Sequence, residues 1–374
     1  MPTRRASLIL PLLALPVLLG CSGGDRAEQP LDEAALKAVV AQPGVGREKL
    51  ARRIDALFTD ETAGETRALV VMHNGKIIAE RYGDGYDPQT RFISWSMAKS
   101  VTAVLIGLLV SDGRLRLDET APIPIWQRSG DPRGAITLRQ LLQMRSGLRH
   151  TESGDPIYES GEVRMLFLDG RDDMAAWAEA QPLEAEPGKK FEYSSATTVI
   201  LSDIAARALT ESSDPATRRT AVSEYLRTRL FEPIGMKSLV PEFDARGTLI
   251  GSSLMHGTAR DWAKFGEFLR NGGSVKGAQV VPRGWIEFMT APSPRNPGYG
   301  AQIWLNRPQP DGESVLFPGR APASAFACVG HLGQYVFVSP RQNLTVVRLG
   351  MTNAVDRPEL IRRIGDVVTL FPTR

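Results

Sequence analysis

Ser96 and Lys99 stand three residues apart in F-I-S-W-S-M-A-K-S, just before the apolar run V-T-A-V-L-I-G-L-L-V. On a helix, residues i and i+3 share a face, so hydroxyl and amine can meet. Lysine suits a nucleophile's partner because a desolvated ammonium can lose its proton, whereas a guanidinium effectively cannot. A helix start also offers free N–H groups and a positive dipole end, which favour negative charge developing on Ser96. Spacing alone is weak support. With 24 Ser and 9 Lys in 374 residues, about 0.6 chance matches are expected, and one occurs. Placement at the mouth of a helix that must be buried makes Ser96 a candidate nucleophile and Lys99 its proton partner; a surface cation is the bland alternative.

Two further segments can serve that pair. P-G-K-K-F-E-Y-S-S-A-T-T-V-I-L, residues 187–201, reads as a turn, a short extended piece that delivers Tyr193, and a helix from about Ser195. A tyrosine at such a junction is most often a packed aromatic with a satisfied hydroxyl. Beside a Ser/Lys pair, its phenol can instead share a proton with Lys99 and pass one to a leaving group. A-C-V-G-H-L-G-Q-Y-V-F-V-S-P, residues 327–340, is a strand interrupted by Gly330 and Gly333. Such glycines mark either close approach by another backbone or ligand, or a bulge in an edge strand. Free N–H groups there can form half of an oxyanion hole. The competing pattern G-x-S-x-G occurs at residues 20–24 with no strand before it and no helix after it, so it is an accident.

His73, His150, His256 and His331 lie far apart, and His73 reads as structural; Cys21 and Cys328 are the only cysteines. No metal site and no cofactor follow from that set. A net charge of +3 and 45 scattered basic residues, 9 Lys and 36 Arg, argue against a nucleic-acid partner. Because cationic work falls mostly to Arg, each Lys is more informative.

Residues 1–20 are expected to be a secretory leader: Arg4 and Arg5 precede an apolar stretch, residues 8–19, too short to span a bilayer. Its ending L-L-G-C resembles the lipobox of bacterial lipoproteins, which implies cleavage before Cys21 and acylation there. An ordinary cleaved leader is the bland alternative. Lipidated Cys21 would anchor the chain on the extracytoplasmic side of a bacterial membrane, in the cell envelope, with residues 21–35 as tether. Cys328 would then have no intramolecular disulfide partner.

Residues 36–374 are expected to form one α+β unit. Helical periodicity marks 32–42, 47–58, the run after Ser96, 136–144, 172–180, 196–209, 221–230, 258–270 and 358–370. Two β-rich runs flank Asn74-Gly75, a hairpin signal. Short strands return at 323–329, 334–338 and 344–349. N- and C-terminal segments should therefore build one antiparallel sheet flanked by helices, with a central helical lobe inserted and a cleft between the two.

Together, S-M-A-K with its helix, L-L-Q-M-R-S-G-L, P-G…Y-S-S, L-F-E-P-I-G-M, T-A-R-D-W-A-K-F-G-E-F-L-R-N-G-G and G-H-L-G-Q resemble the serine β-lactamase and penicillin-binding-protein superfamily. The likeness is to the branch holding class C β-lactamases, esterases, D-aminopeptidases and 6-aminohexanoate-dimer hydrolases, and runs from about Gly46 onward. It implies the β-lactamase/transpeptidase-like fold and makes Ser96 the acylated nucleophile, Lys99 its relay partner and Tyr193 the head of a Y-x-N element. It makes the N–H groups of Ser96 and Gln334 the oxyanion hole. Ser195 falls at the Asn of Y-x-N, and His331-Leu332-Gly333 falls where the family has K-T-G, so Ser195, His331 and Gly333 become substrate-binding positions. Loss of that amide and that lysine argues against efficient β-lactam turnover. The expectation is a serine hydrolase cleaving a small-molecule amide or ester through an acyl-enzyme. A D,D-peptidase acting on cell-wall peptides and a catalytically silent envelope lipoprotein are the alternatives.

Overall fold

The computed structural model describes residues 31–312 and 314–373. The leader and Cys21 lie outside the described residues. The helix expected at 32–42 is shorter, Glu33–Lys37, with the Asp32 carboxylate accepting from the Ala34 N–H. Ala35 within it is fully buried, so the folded unit begins inside the expected tether.

Six strands form the main sheet: β1 (Glu65–His73), β2 (Lys76–Tyr82), β3 (Trp304–Leu305), β4 (Phe326–Gly330), β5 (Gln334–Ser339) and β6 (Leu344–Met351). Their order is β2-β1-β6-β5-β4-β3, with every neighbouring pair antiparallel. As expected, the chain's two ends share one sheet. Asn74 and Gly75 make the hairpin turn at φ of 51° and 78°, a conformation that Asn-Gly adopts at low cost.

Alternate residues along these strands face two cores. Leu69, Val71, Phe337 and Val346 pack with helices α1 (Arg47–Thr59) and α6 (Arg357–Val368) on one face. Val70, Val336, Val338 and Val347 face the other core, which holds α2 (Ala98–Ser111), α4 (Ser195–Leu209) and α5 (Ala259–Arg270). The period-2 pattern makes each strand serve both layers. Each fully buried Leu, Val or Phe contributes about 1.5–3 kcal/mol. The short helix α3 (Gly161–Phe167) was not anticipated, because its stretch is too brief to show periodicity. The helix expected at 221–230 starts at Pro215, with Asp214 as its cap; a polar first turn hid that start. Among the described residues, no helix is long and apolar enough to cross a membrane.

The nucleophile segment is where the layers meet. Ser96 lies in a 3-10 turn, Trp95–Met97, rather than in the helix proper, and α2 follows at Ala98. Helix α2 closes at Asp112 as expected, with Gly113 at φ 73°. The turn is tied down on its N-terminal side: the Ser94 N–H donates to the Met255 carbonyl (2.8 Å), and the Met255 N–H donates to Ser94 Oγ (3.1 Å). On its other side runs β4, packed against the turn. A Cβ at Gly330 would lie 2.4 Å from the Ser94 carbonyl oxygen. That glycine therefore marks close backbone approach, not a bulge, since the β4/β5 register runs unbroken from Phe326 to Gly330. Gly330→Ala should destabilise the protein by about 1–3 kcal/mol and reduce activity by shifting the serine. Gly284→Ala, where a Cβ meets nothing within 4 Å, should do neither in paired thermal-unfolding and activity assays.

Candidate active site

Lys99 sits in the first turn of α2 with 1% of its surface exposed. Its ammonium donates to three acceptors: Ser96 Oγ (2.9 Å), Ser195 Oγ (2.9 Å) and the Ser252 carbonyl (3.0 Å). Each acceptor comes from a different segment. Ser96 comes from the turn one step back, Ser195 from the first residue of α4, and Ser252 from the loop before the 255–257 strand. That loop fits only because residue 251 is glycine: a Cβ there would meet Thr102 Oγ1 at 2.3 Å and Ser202 Oγ at 2.5 Å. Ser96 itself keeps partial exposure. A reachable hydroxyl thus backs onto a sealed cation.

Tyr193 arrives as anticipated, at the end of an extended piece whose turn uses Gly188 at φ 84°. Ser194 caps α4 by accepting from the Thr197 N–H. The phenol ring stacks on Trp304 (5.3 Å between centroids) and meets Tyr299 edge-on (5.8 Å). Lys99 Nζ lies 4.9 Å from the ring centroid, and Ser96 and Lys99 both act on the ionisation of the Tyr193 hydroxyl. Hydroxyl, amine and phenol therefore converge. Burial raises the Tyr193 pKa despite the opposing pull of Lys99. Burial alone would lower that of Lys99, but Tyr193, Glu152 and Glu162 outweigh it and raise it.

The two glutamates were invisible to the sequence reading. Glu152 Oε1 lies 3.8 Å from Lys99 Nζ. It accepts from Ser195 Oγ at 2.6 Å, while Oε2 accepts from the Ser195 N–H at 2.9 Å and pairs with His150 Nε2 at 2.7 Å. Glu162, on α3, shares Ser195 Oγ at 3.3 Å. Burial would raise the Glu152 pKa, but Lys99, His150 and Ser195 together hold it down to about 2. Burial, and the neighbouring charge of Glu152, push Glu162 up to about 7. No fixed spacing marks such residues: eleven acids lie between L-L-Q-M-R-S-G-L and Y-S-S, and no sequence pattern singles out these two.

The remaining expected positions divide. Ser195 is fully buried, and its hydroxyl faces Lys99 and the two carboxylates. Its hydroxyl is thus engaged within the protein, at the position where the resemblance to Y-x-N implies a substrate-binding side chain. The His331–Gly333 turn stands beside the nucleophile, with the exposed His331 edge-on to Trp95 at 5.3 Å. Partial desolvation of the ring and the charge of Arg357 lower the His331 pKa, which favours the neutral imidazole at pH 7. Gln334 ties its side chain back to the His331, Leu332 and Gly350 carbonyls. Fully buried Arg348 fixes the same turn by donating to the Gly333 carbonyl (2.9 Å). Trp95 holds φ 46°, a left-handed conformation that costs a bulky residue about 1–2 kcal/mol and aims the next residue, Ser96.

A sheet-and-lobe fold with a serine backed by a buried lysine is the arrangement of a serine hydrolase of the amidase/esterase type. The Beta-lactamase family model matches residues 54–369, and the chain belongs to that family, within the serine β-lactamase and penicillin-binding-protein superfamily. The 6-aminohexanoate-dimer hydrolase of Paenarthrobacter ureafaciens is 24% identical over 337 residues, covering 83% of this chain and 79% of that protein. A penicillin-binding protein homologue from Caulobacter crescentus is similar in fold at TM-score 0.61 and 20% identity, over 85% of this chain and 95% of its own. A family VIII carboxylesterase matches at TM-score 0.61 and 18% identity, over 84% and 96%.

The depressed Glu152 pKa fixes the sign of one pH effect. An ionised carboxylate in the folded state contributes stability above the ordinary value of 4.5, which is lost as pH falls toward about 2. Wild type should exceed Glu152→Gln in urea unfolding by about 1–3 kcal/mol at pH 6, and more than half of that gap should be gone by pH 3. A gap unchanged with pH would mean that the charge contributes nothing.

Proposed function

We propose that this protein hydrolyses an amide or ester of a small molecule through an acyl-enzyme on Ser96. The observation that carries this reading is the 2.9 Å contact between Lys99 Nζ, buried, and Ser96 Oγ, partly exposed. Ser96 attacks the carbonyl carbon, the Lys99/Tyr193 pair handles the protons, and water releases the acyl group. The main-chain N–H groups of Ser96 and Gln334 receive the developing oxyanion. Supporting this, β5 begins at Gln334 beside the nucleophile turn, and the glutamine's side chain is engaged elsewhere.

Two features argue against efficient β-lactam turnover. The position where the family carries an amide holds buried Ser195, and the K-T-G lysine position holds a neutral His331, which attracts a substrate carboxylate weakly. Anchoring through lipidated Cys21, with an envelope location, is proposed on the L-L-G-C ending alone.

A panel of p-nitrophenyl esters, D-amino-acid amides and nitrocefin, followed by intact-protein mass, tests the reading. Wild type should trap an acyl adduct that Ser96→Ala does not. Lys99→Arg should lose about 10²–10⁴-fold in kcat/KM, because Arg keeps its proton; near-normal activity of that variant sinks the mechanism. Long-lived labelling by a fluorescent penicillin would turn the reading toward a cell-wall D,D-peptidase. Silence toward every serine-directed reagent would turn it toward a ligand-binding lipoprotein.

A further inference from the structure

We propose that Glu162, acting through Ser195 and Lys99, accepts the proton that Ser96 loses on attack, with Glu152 as the fixed counter-charge that holds this relay in place. The inference rests on the acyl-enzyme reading above and adds to it a residue outside the Ser/Lys/Tyr set.

The argument starts from a shortage of bases. Lys99 Nζ lies 3.8 Å from the Glu152 carboxylate and donates to the Ser252 carbonyl, and its pKa is raised by Tyr193, Glu152 and Glu162, so at rest it is an ammonium. An ammonium cannot take the Ser96 proton until it has passed one on. Tyr193 is no readier, since burial keeps its phenol protonated at neutral pH. The exit from Lys99 is Ser195 Oγ, which accepts from Nζ and has one hydrogen to give. Two carboxylate oxygens lie in its reach, Glu152 Oε1 at 2.6 Å and Glu162 Oε1 at 3.3 Å.

These carboxylates are not equivalent. Glu152 is pinned by the Ser195 N–H and by His150 as well, and it stays ionised beside Lys99. Among the described residues, Glu162 has its hydrogen bond with Ser195 alone. Its pKa of about 7 is matched to a proton acceptor that must work, and be regenerated, near neutral pH.

The protons balance. Lys99 gives an Nζ proton to Ser195 Oγ as the Ser195 hydroxyl proton moves to Glu162 Oε1. The resulting amine lone pair takes the Ser96 proton as Oγ bonds to the substrate carbonyl carbon. Lys99 ends as an ammonium and Glu162 as a neutral acid. When the tetrahedral adduct collapses, Lys99 protonates the leaving group by way of Tyr193, and Glu162 returns its proton through Ser195.

The charged groups acting on Glu162 are Glu152 from the preceding loop and Lys99 from α2, with Ser195 from α4. On its own helix, Arg164 is turned to Asp169. Glu159, in the turn before α3, is exposed, and Glu179, on the helix that follows, faces Asp203 instead. Glu162 is thus a positioning residue whose ionisation should appear directly in the rate.

The test is the pH dependence of the acylation rate from pH 5 to 9, read by the burst of p-nitrophenol and by intact mass. Wild type should show a rate that rises through a limb near pH 7. Glu162→Gln, which keeps size and hydrogen bonding, should acylate at least about tenfold more slowly at pH 8 and lose that limb. Ser195→Ala should lose it too, with KM little changed. Glu162→Asp should keep a limb at a shifted pH, and it decides the matter if the Gln variant is too slow to profile. A wild-type limb that survives Glu162→Gln at the same pH, or no limb in wild type, overturns the relay. Absence of an acyl adduct on wild type overturns the acyl-enzyme reading instead.

Discussion

A buried ammonium sets the terms for this fold. Lys99 lies in a helix otherwise lined by Val101, Val104, Leu105 and Leu108, all fully buried. An ion of that size moved from water into such surroundings costs several kcal/mol even after relaxation. Only a full set of acceptors and an opposite charge offset the cost, and the chain draws these from four separate stretches. The nucleophile turn, the start of α4, the loop at Ser252 and the loop at Glu152 must each be in place for the others to be tolerable. The relation of sheet to helical lobe is thereby settled by a chemical requirement at their junction. Loss of one acceptor leaves a charge stranded, which is more damaging than the loss of an ordinary contact.

Around that cation the scaffold is arranged to place backbone as much as side chains. Gly330 lets β4 come up against Ser94; Trp95 in its left-handed conformation turns Ser96 outward. Arg348 spends its guanidinium on Thr66, Gly333, Glu65 and Thr352, stitching the first strand to the turn before β5. An arginine inside a sheet is costly without such partners, so its position reports how firmly that turn must be held. Strain and buried charge near reacting groups are what a preorganised site requires.

Much of this was legible in the sequence because it rests on short-range rules. The apolar run after Lys99 fixes a buried helix, Asn74-Gly75 fixes a hairpin, and Pro187-Gly188 delivers Tyr193 to the start of α4. What escaped were positions whose meaning exists only in three dimensions. Glu152 and Glu162 lie in an aperiodic stretch, and their distance from Lys99 along the chain hides a contact made by folding. Ser252 contributes a carbonyl, which no side-chain pattern reveals. Ser195 takes its expected role from its place in a motif, and the motif does not show that its buried hydroxyl is held by Lys99, Glu152 and Glu162. The Ser96 turn was read as helix because a 3-10 turn keeps the same i, i+3 proximity.

The order of the strands has a further consequence. The strand that opens the sheet, β1, is flanked by β2 on one side and by β6, near the far end of the chain, on the other. A ribosome emits these partners hundreds of residues apart, and β4 and β5, which brace the serine, also come late. The sheet that braces the serine therefore cannot close until β4, β5 and β6 have been made, and a chain cut within the lobe would hold only its β1–β2 hairpin.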